Sequence, residues 1–296
     1  MSLHATGLRL AYGQRTIVDI PELHLEPGRI TCLVGPNGCG KSTLLKALGG
    51  LLRPARGEIR LDARPLADWA PKALARRLAS LPQSPSAPDD IRVSQLVGHG
   101  RYPHQGLLGG ATARDLEVVD WALGATSIGH LRERRFATLS GGERQRVWLA
   151  MTLAQQAEIL LLDEPTTYMD MGHQVELLEL LAELHRRHGR TIVMVLHDLN
   201  QACQYADRLL AMRDGRILAD GTPDEVVDSA LTERLFGLPT ERIDREIGGR
   251  RVPCCLPLPP ARPEPPNPPA HLPAIQRPSA NRNATRHRQP QIRNPA

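Results

Sequence analysis

Apolar positions along the chain fall into two rhythms. Over the first 34 residues they come in short runs, Leu8, Leu10 and Tyr12 and then Ile30-Thr31-Cys32-Leu33-Val34, broken by Gly13 and Pro27-Gly28. Such spacing between breakers predicts strands and hairpins. After Gly35 the rhythm changes, because Leu44, Leu45, Leu48 and Leu51 recur at helical spacing, so a strand, a loop and a helix should follow one another. Residues 71–153 read as mostly helical, with a proline-rich break at 82–88 and a glycine-rich break at 98–110. Two buried-strand runs, 159–162 and 192–196, flank the amphipathic stretch 175–185. Strand, helix, strand implies a parallel sheet. A later strand at 209–212, the Asp214-Gly215 turn and residues 216–219 read as a hairpin at the sheet's end. The expected fold class is therefore α/β, and no internal repeat is visible.

Composition narrows this. The 296-residue chain is 41% apolar and 23% charged, which suits one sizeable core or two small ones. Its apolar runs fall far short of the roughly 18 residues a spanning helix needs. Residues 1–10 lack the basic start and apolar stretch of a secretory signal, which predicts a cytoplasmic protein. Cys32, Cys39 and Cys203 stand alone and Cys254-Cys255 are adjacent, so no C-x-x-C spacing offers a metal or redox site. The net charge of +5 suggests nucleic acid until it is divided along the chain. Residues 253–296 hold six arginines against one glutamate, which accounts for the whole excess. No nucleic-acid partner is expected. Those last 44 residues also hold thirteen of the 26 prolines with almost no apolar periodicity, and they read as a disordered Pro/Arg-rich tail. The expected organisation is a domain over 1–240 with a helical subdomain at about 84–153, a short connection over 241–252, and the tail over 253–296. Asn283-Ala284-Thr285 in that tail matches a glycosylation acceptor by chance.

Candidate chemistry begins at Gly35-Pro36-Asn37-Gly38-Cys39-Gly40-Lys41-Ser42-Thr43. The chain owns three lysines against thirty-four arginines, and it keeps one of the three in this glycine loop. A compact ammonium there suits a point charge that must reach a phosphate where a guanidinium fork would not fit. The run satisfies G-x-x-x-x-G-K-[ST], whose backbone N–H groups cradle phosphate oxygens at a helix N-terminus. Lys41 is then expected to bridge the outer phosphates and Ser42 to hold Mg2+. At 159–164 a hydrophobic strand ends in Asp163 and Glu164, at the carboxyl end where open α/β sheets gather ligands. Asp163 is the candidate magnesium partner, and Glu164 is free to polarise an attacking water. Ser140-Gly141-Gly142-Glu143 opens a helix on which Val147, Ala150, Met151 and Ala154 share a face. It reads either as a capping box or, given the paired glycines, as a second anion site.

GPNGCGKST, LSGGERQR, ILLLDEP and His197 in VLHD, in this order and spacing, resemble the nucleotide-binding subunits of ABC transporters, over about residues 3–240. That resemblance implies a P-loop NTPase with a RecA-like parallel-sheet core, an N-terminal antiparallel β subdomain and a helical signature subdomain. It implies that Tyr12 stacks on adenine, that Gln83 contacts Mg2+ and the membrane partner, and that His197 touches the γ-phosphate. Asp170 would lie at the seam of a head-to-tail dimer, in which the glycine loop of one copy and Ser140, Gly141 and Gly142 of the other enclose each ATP. The implied partners are a second copy, integral-membrane permease subunits and, indirectly, a substrate-binding protein, at the cytoplasmic face of the cytoplasmic membrane.

Gly100-Arg101-Tyr102-Pro103-His104-Gln105, with Thr167-Tyr168-Met169-Asp170 and His173-Gln174, is similar to the importer ATPases that serve ferric siderophores, haem and cobalamin. ATP-driven uptake of an iron chelate is the expected function. A haem or cobalamin importer and a soluble ABC ATPase of DNA repair or translation are the alternatives. Met169 departs from the branched aliphatic residue or leucine usual before the aspartate, and Cys39 puts a thiol in the loop, where alkylation is expected to block ATP binding.

Overall fold

The computed structural model describes residues 2–83, 85–106 and 110–259. The N-terminal alternation builds the antiparallel pair β1 (Leu3–Tyr12) and β2 (Arg15–Leu25). Leu3, Ala5, Leu8 and Leu10 of β1 turn inward with Val18 and Ile20 of β2. The chain then enters β3 (Ile30–Val34), leaves through the glycine loop into α1 (Lys41–Leu48), and returns to the first sheet as β4 (Arg56–Leu61) and the short β5 (Arg64–Pro65). The order of that antiparallel sheet is β2-β1-β4-β5.

Beyond it come α2 (Pro71–Arg77), β6 (Leu78–Leu81), α3 (Val93–Gly98), α4 (Ala113–Ala125) and α5 (Gly141–Ala154). The core resumes with β7 (Ile159–Asp163), α6 (Met171–His188), β8 (Thr191–Val195), α7 (Leu199–Tyr205), β9 (Arg208–Arg213) and β10 (Arg216–Gly221). The larger sheet runs β10-β9-β3-β8-β7-β6, parallel except for the β10 edge. Every residue of β3, β7 and β8 is buried. Both faces are covered, which is why these strands read as unbroken apolar runs rather than alternations.

The chain continues through α8 (Pro223–Val226) and α9 (Ser229–Phe236) into the hairpin of β11 (Thr240–Ile247) and β12 (Arg250–Pro257).

Four details differ from the sequence reading. Helix α1 stops at Leu48, because Gly50 turns to φ 72 and leaves Leu51 66% exposed, off the helical face. The stretch 71–153 contains a strand, β6, which follows α2 without a loop and is too short to interrupt a helical pattern. Helix α6 is longer than 175–185, capped by Asp170 at one end and closed by left-handed Gly189 at the other. The boundary at 253 cuts through β12: Val252 and Cys255 are 2% and 6% exposed, and both register with β11. Residues 241–252 are therefore paired strands rather than a connection. Of the predicted tail, 260–296 lie outside the described residues.

β12 is also tied to the core. The Asn200 amide on α7 donates to the Cys255 carbonyl (3.3 Å) and accepts from the Cys255 N–H (2.8 Å). A chain ending at Arg251 loses these bonds and three buried side chains, those of Val252, Pro253 and Cys255. We expect it to melt on the order of 5–10 °C below a chain ending at Pro259, from a loss of about 2–4 kcal/mol. Calorimetry on the two truncations checks this, and equal midpoints would show that β12 adds nothing to the fold.

Candidate functional site

Between β3 and α1 the backbone makes turns that only glycine allows. Gly35 has φ 146, and a Cβ there would lie 2.0 Å from the Met212 carbonyl oxygen in β9. Gly40, the residue before α1, has φ 106 and would drive a Cβ to 2.7 Å from Val18 Cγ2. Helix α1 has neither a side-chain cap nor an acidic residue in its first turn, so no side chain fills the anion-attracting position at its start. Lys41 is 5% exposed, and its Nζ donates to the carbonyls of Gly35 (2.8 Å) and Pro36 (2.9 Å). The ammonium is held by its own loop, on bonds that a phosphate oxygen can replace. Asn37 and Gly38 are exposed, and Pro36, Ser42 and Thr43 are half-buried. Cys39 is buried in the apolar layer with Leu33, Leu44 and Met212. The thiol therefore lies in the core, 3.8 Å from Lys41 Nζ, and not in the open part of the loop.

Ser42 Oγ donates to Asp163 Oδ1 at 2.9 Å. Burial pushes the Asp163 carboxyl above its ordinary range, the Ser42 hydrogen bond opposes this, and the neighbouring Glu164 charge adds to the rise. Two hard oxygen donors thus meet beside the loop, the donor chemistry that suits Mg2+. Glu164 sits at φ 53, a backbone region that costs a non-glycine residue energy and that collects at functional sites. Its Oε1 lies 2.7 Å from His197 Nε2, and its Oε2 accepts from Thr167 Oγ1 at 3.3 Å. Strand register explains the encounter: Asp163 pairs with Val195 across β7 and β8, so the residues just beyond both strands emerge side by side.

The capping-box reading of Ser140 holds. Its Oγ accepts from the Glu143 N–H (3.3 Å), while Glu143 Oε2 accepts from the Ser140 N–H and hydroxyl (both 2.8 Å). Those bonds, the backbone one first, hold the Glu143 carboxyl below its usual range. The box leaves the paired glycines unexplained. Their bare backbone faces Tyr168: a Cβ on Gly141 would meet Tyr168 Cβ at 3.2 Å. Ser140, Gly141, Tyr168 and Asp170 are all exposed. Asp170 caps α6 by accepting from the His173 N–H (2.9 Å). Among the described residues, no hydrogen bond or ion pair links 140–142 to the loop 35–43. Tyr12 is 51% exposed at the end of β1, and Gln83 is exposed just beyond β6.

Sequence reasoning passed over Gln145. Buried in α5, it donates to the carbonyls of Glu164 (3.5 Å) and Pro165 (3.1 Å) and ties the helix that opens at Ser140 to the carboxylate strand end. A glutamine at a core-facing helical position was the available signal. Residues 100–105 prove largely architectural. A Cβ on Gly100 would lie 2.2 Å from the Met151 carbonyl oxygen, and buried Arg101 binds Asp115 (2.9 Å) and the Ala154 carbonyl (2.7 Å). Only Tyr102 presents a large exposed face, with Lys72 Nζ 4.5 Å from its ring centre.

A largely parallel sheet, a glycine loop that leads from β3 into a helix, and two carboxylates at the end of β7, one strand removed across β8, define a P-loop nucleotide-binding ATPase. The family model described as ABC transporter matches residues 18–167. The chain belongs to the ABC transporter family. It is 48% identical over 256 residues to the ferric enterobactin transport ATP-binding protein FepC of Escherichia coli (strain K12), covering 86% of this chain and 94% of that one. It is 44% identical over 241 residues to the hemin import ATP-binding protein HmuV of Pseudomonas aeruginosa, covering 80% and 92%. Among solved structures it resembles one described as a metal-chelate type ABC transporter in an inward-facing conformation, with a TM-score of 0.74, 29% identity, and coverage of 87% of this chain and 97% of that one. The 256-residue match reaches further than the 3–240 expected from the motifs.

Proposed function

We propose that this chain is the ATP-hydrolysing subunit of an importer that carries a ferric siderophore across the cytoplasmic membrane. The observation that carries the reading is the Glu164–His197 contact of 2.7 Å beside the loop that presents Lys41 and Ser42. Lys41 and the N–H groups of 35–43 bind the phosphates of ATP. Ser42 and Asp163 would hold Mg2+, with Gln83 as a further oxygen donor; bound there, the ion neutralises phosphate charge. Glu164 accepts a proton from the attacking water as general base. His197 orients that carboxylate and reaches the γ-phosphate. Tyr12 offers its exposed ring to adenine.

Ser140 and Gly141 are exposed and Gly142 is half-buried, and among the described residues none of the three bonds to the glycine loop, which is the state expected of surfaces completed by another copy. Two copies arranged head to tail give two equivalent sites, each closed by the partner's glycines with Asp170 at the seam. Nucleotide then favours closure and hydrolysis releases it. No described helix is long and apolar enough to cross a membrane, so separate permease subunits would form the channel, Gln83 would face them at the cytoplasmic side, and a substrate-binding protein would act through them.

The 48% relative is named for ferric enterobactin and the 44% relative for hemin. Siderophore cargo is therefore the first reading and haem the second. Reconstituted with its permease and binding protein, the complex should hydrolyse ATP several-fold faster on addition of a ferric siderophore than on addition of hemin. Stimulation by hemin alone would favour the second reading, and stimulation by neither would overturn both.

A further inference from the structure

Gln174 follows His173 in the first turn of α6 and takes no direct part in the chemistry proposed for the nucleotide site. Its half-buried side chain stands between two loops. Gln174 Nε2 donates to the carbonyl oxygens of Met169 (3.1 Å) and Thr166 (3.5 Å), and its Oε1 accepts from Gln201 Nε2 at 2.7 Å. The orientation of both amides follows from their partners. Backbone carbonyls only accept, so the Gln174 NH2 must face them, its oxygen is left for Gln201, and Gln201 must offer its own NH2. Gln201 lies in the first turn of α7, where Asp198 accepts from its backbone N–H (3.1 Å). Asp198 directly follows His197, and Met169 directly precedes Asp170.

These contacts close a ring. From Glu164 it passes to His197, along the start of α7 to Gln201, across to Gln174 and on to Met169. It returns through Thr167, whose hydroxyl bonds Glu164 again.

We propose that Gln174 and Gln201 form an amide relay that holds the His197 segment and the Asp170 loop in one register, so that a second copy pressing on that loop is felt at the Glu164–His197 contact. The inference rests on the dimeric reading above and makes the two glutamines positioning residues. The bonds are half-buried, where the lower dielectric strengthens each link, and loss of one amide leaves the carbonyl of buried Met169 without its donor.

Gln174→Met and Gln201→Met keep side-chain length and remove the amides. Each is expected to lower kcat for ATP hydrolysis about tenfold while KM for ATP stays within about twofold, the pattern of an interaction lost only in the transition state. The double variant should be no slower than the worse single one, and Gln201→Met should add nothing to His197→Ala. Should either methionine variant fail to fold, Gln201→Glu keeps size and polarity, sets an acceptor where the relay needs a donor, and should give the same kcat loss. An unchanged kcat, a parallel change in kcat and KM, losses that multiply in the double variant, or a further loss on the His197→Ala background would overturn the relay. A parent chain that hydrolyses no ATP would overturn the functional reading itself.

Discussion

Glu164→Gln is expected to bind ATP with the affinity of the parent chain and to hydrolyse it at least 100-fold more slowly. The substitution keeps the length of the side chain, and an amide oxygen can still face His197 Nε2, so the 2.7 Å contact survives in altered form. What disappears is the group proposed to take the proton from water, a contribution of about 10²–10⁴ in rate. Lys41, Ser42 and Asp163 are untouched, so nucleotide binding should persist. The φ of 53 at this position is as awkward for glutamine as for glutamate, so the fold should tolerate the exchange. Single-turnover phosphate release, with nucleotide binding measured on the same preparation, separates the two quantities. Hydrolysis within tenfold of the parent would remove Glu164 from the general-base role.

Lys41→Ala is expected to lose ATP affinity itself, by about 100-fold or more. A hydrogen bond to a charged group contributes about 1.5–3 kcal/mol, and the Lys41 ammonium, buried among loop carbonyls, is placed to make more than one such bond to a triphosphate. Lys41→Arg should rescue little, because a guanidinium fork must enter a space lined by the Gly35 and Pro36 carbonyls that one ammonium now fills. Titration of the three proteins with ATP checks this. An alanine variant that binds as the parent does would contradict the phosphate cradle.

Much of this site was legible because its chemistry is local in sequence. A glycine loop between an apolar run and a helical repeat can be read from spacing alone, and so can two carboxylates at the end of ILLLD. His197 was a different matter: no local pattern distinguishes it from a packed histidine. Its nearness to Glu164 depends on the pairing of Asp163 with Val195, a contact between strands far apart in the chain. The Gln145 and Gln174 contacts were invisible for the same reason. Strand β6 was missed because its four residues adjoin a helix and offer too few positions for an alternation to show. The C-terminal hairpin was misjudged by composition. Arginine and proline crowd 250–257, yet Asn200 and α7 supply the burial that the local sequence lacks.

The central claim is that two chains enclose ATP between them, each contributing half of both pockets. The mass of Glu164→Gln in solution with Mg2+ and ATP, read together with bound nucleotide per chain, tests it most directly. The account predicts a dimer holding two ATP molecules that returns to monomer when nucleotide is removed, and that fails to form when Ser140→Arg fills the exposed signature surface. A chain that binds one ATP and stays monomeric at every concentration of protein and nucleotide would contradict it.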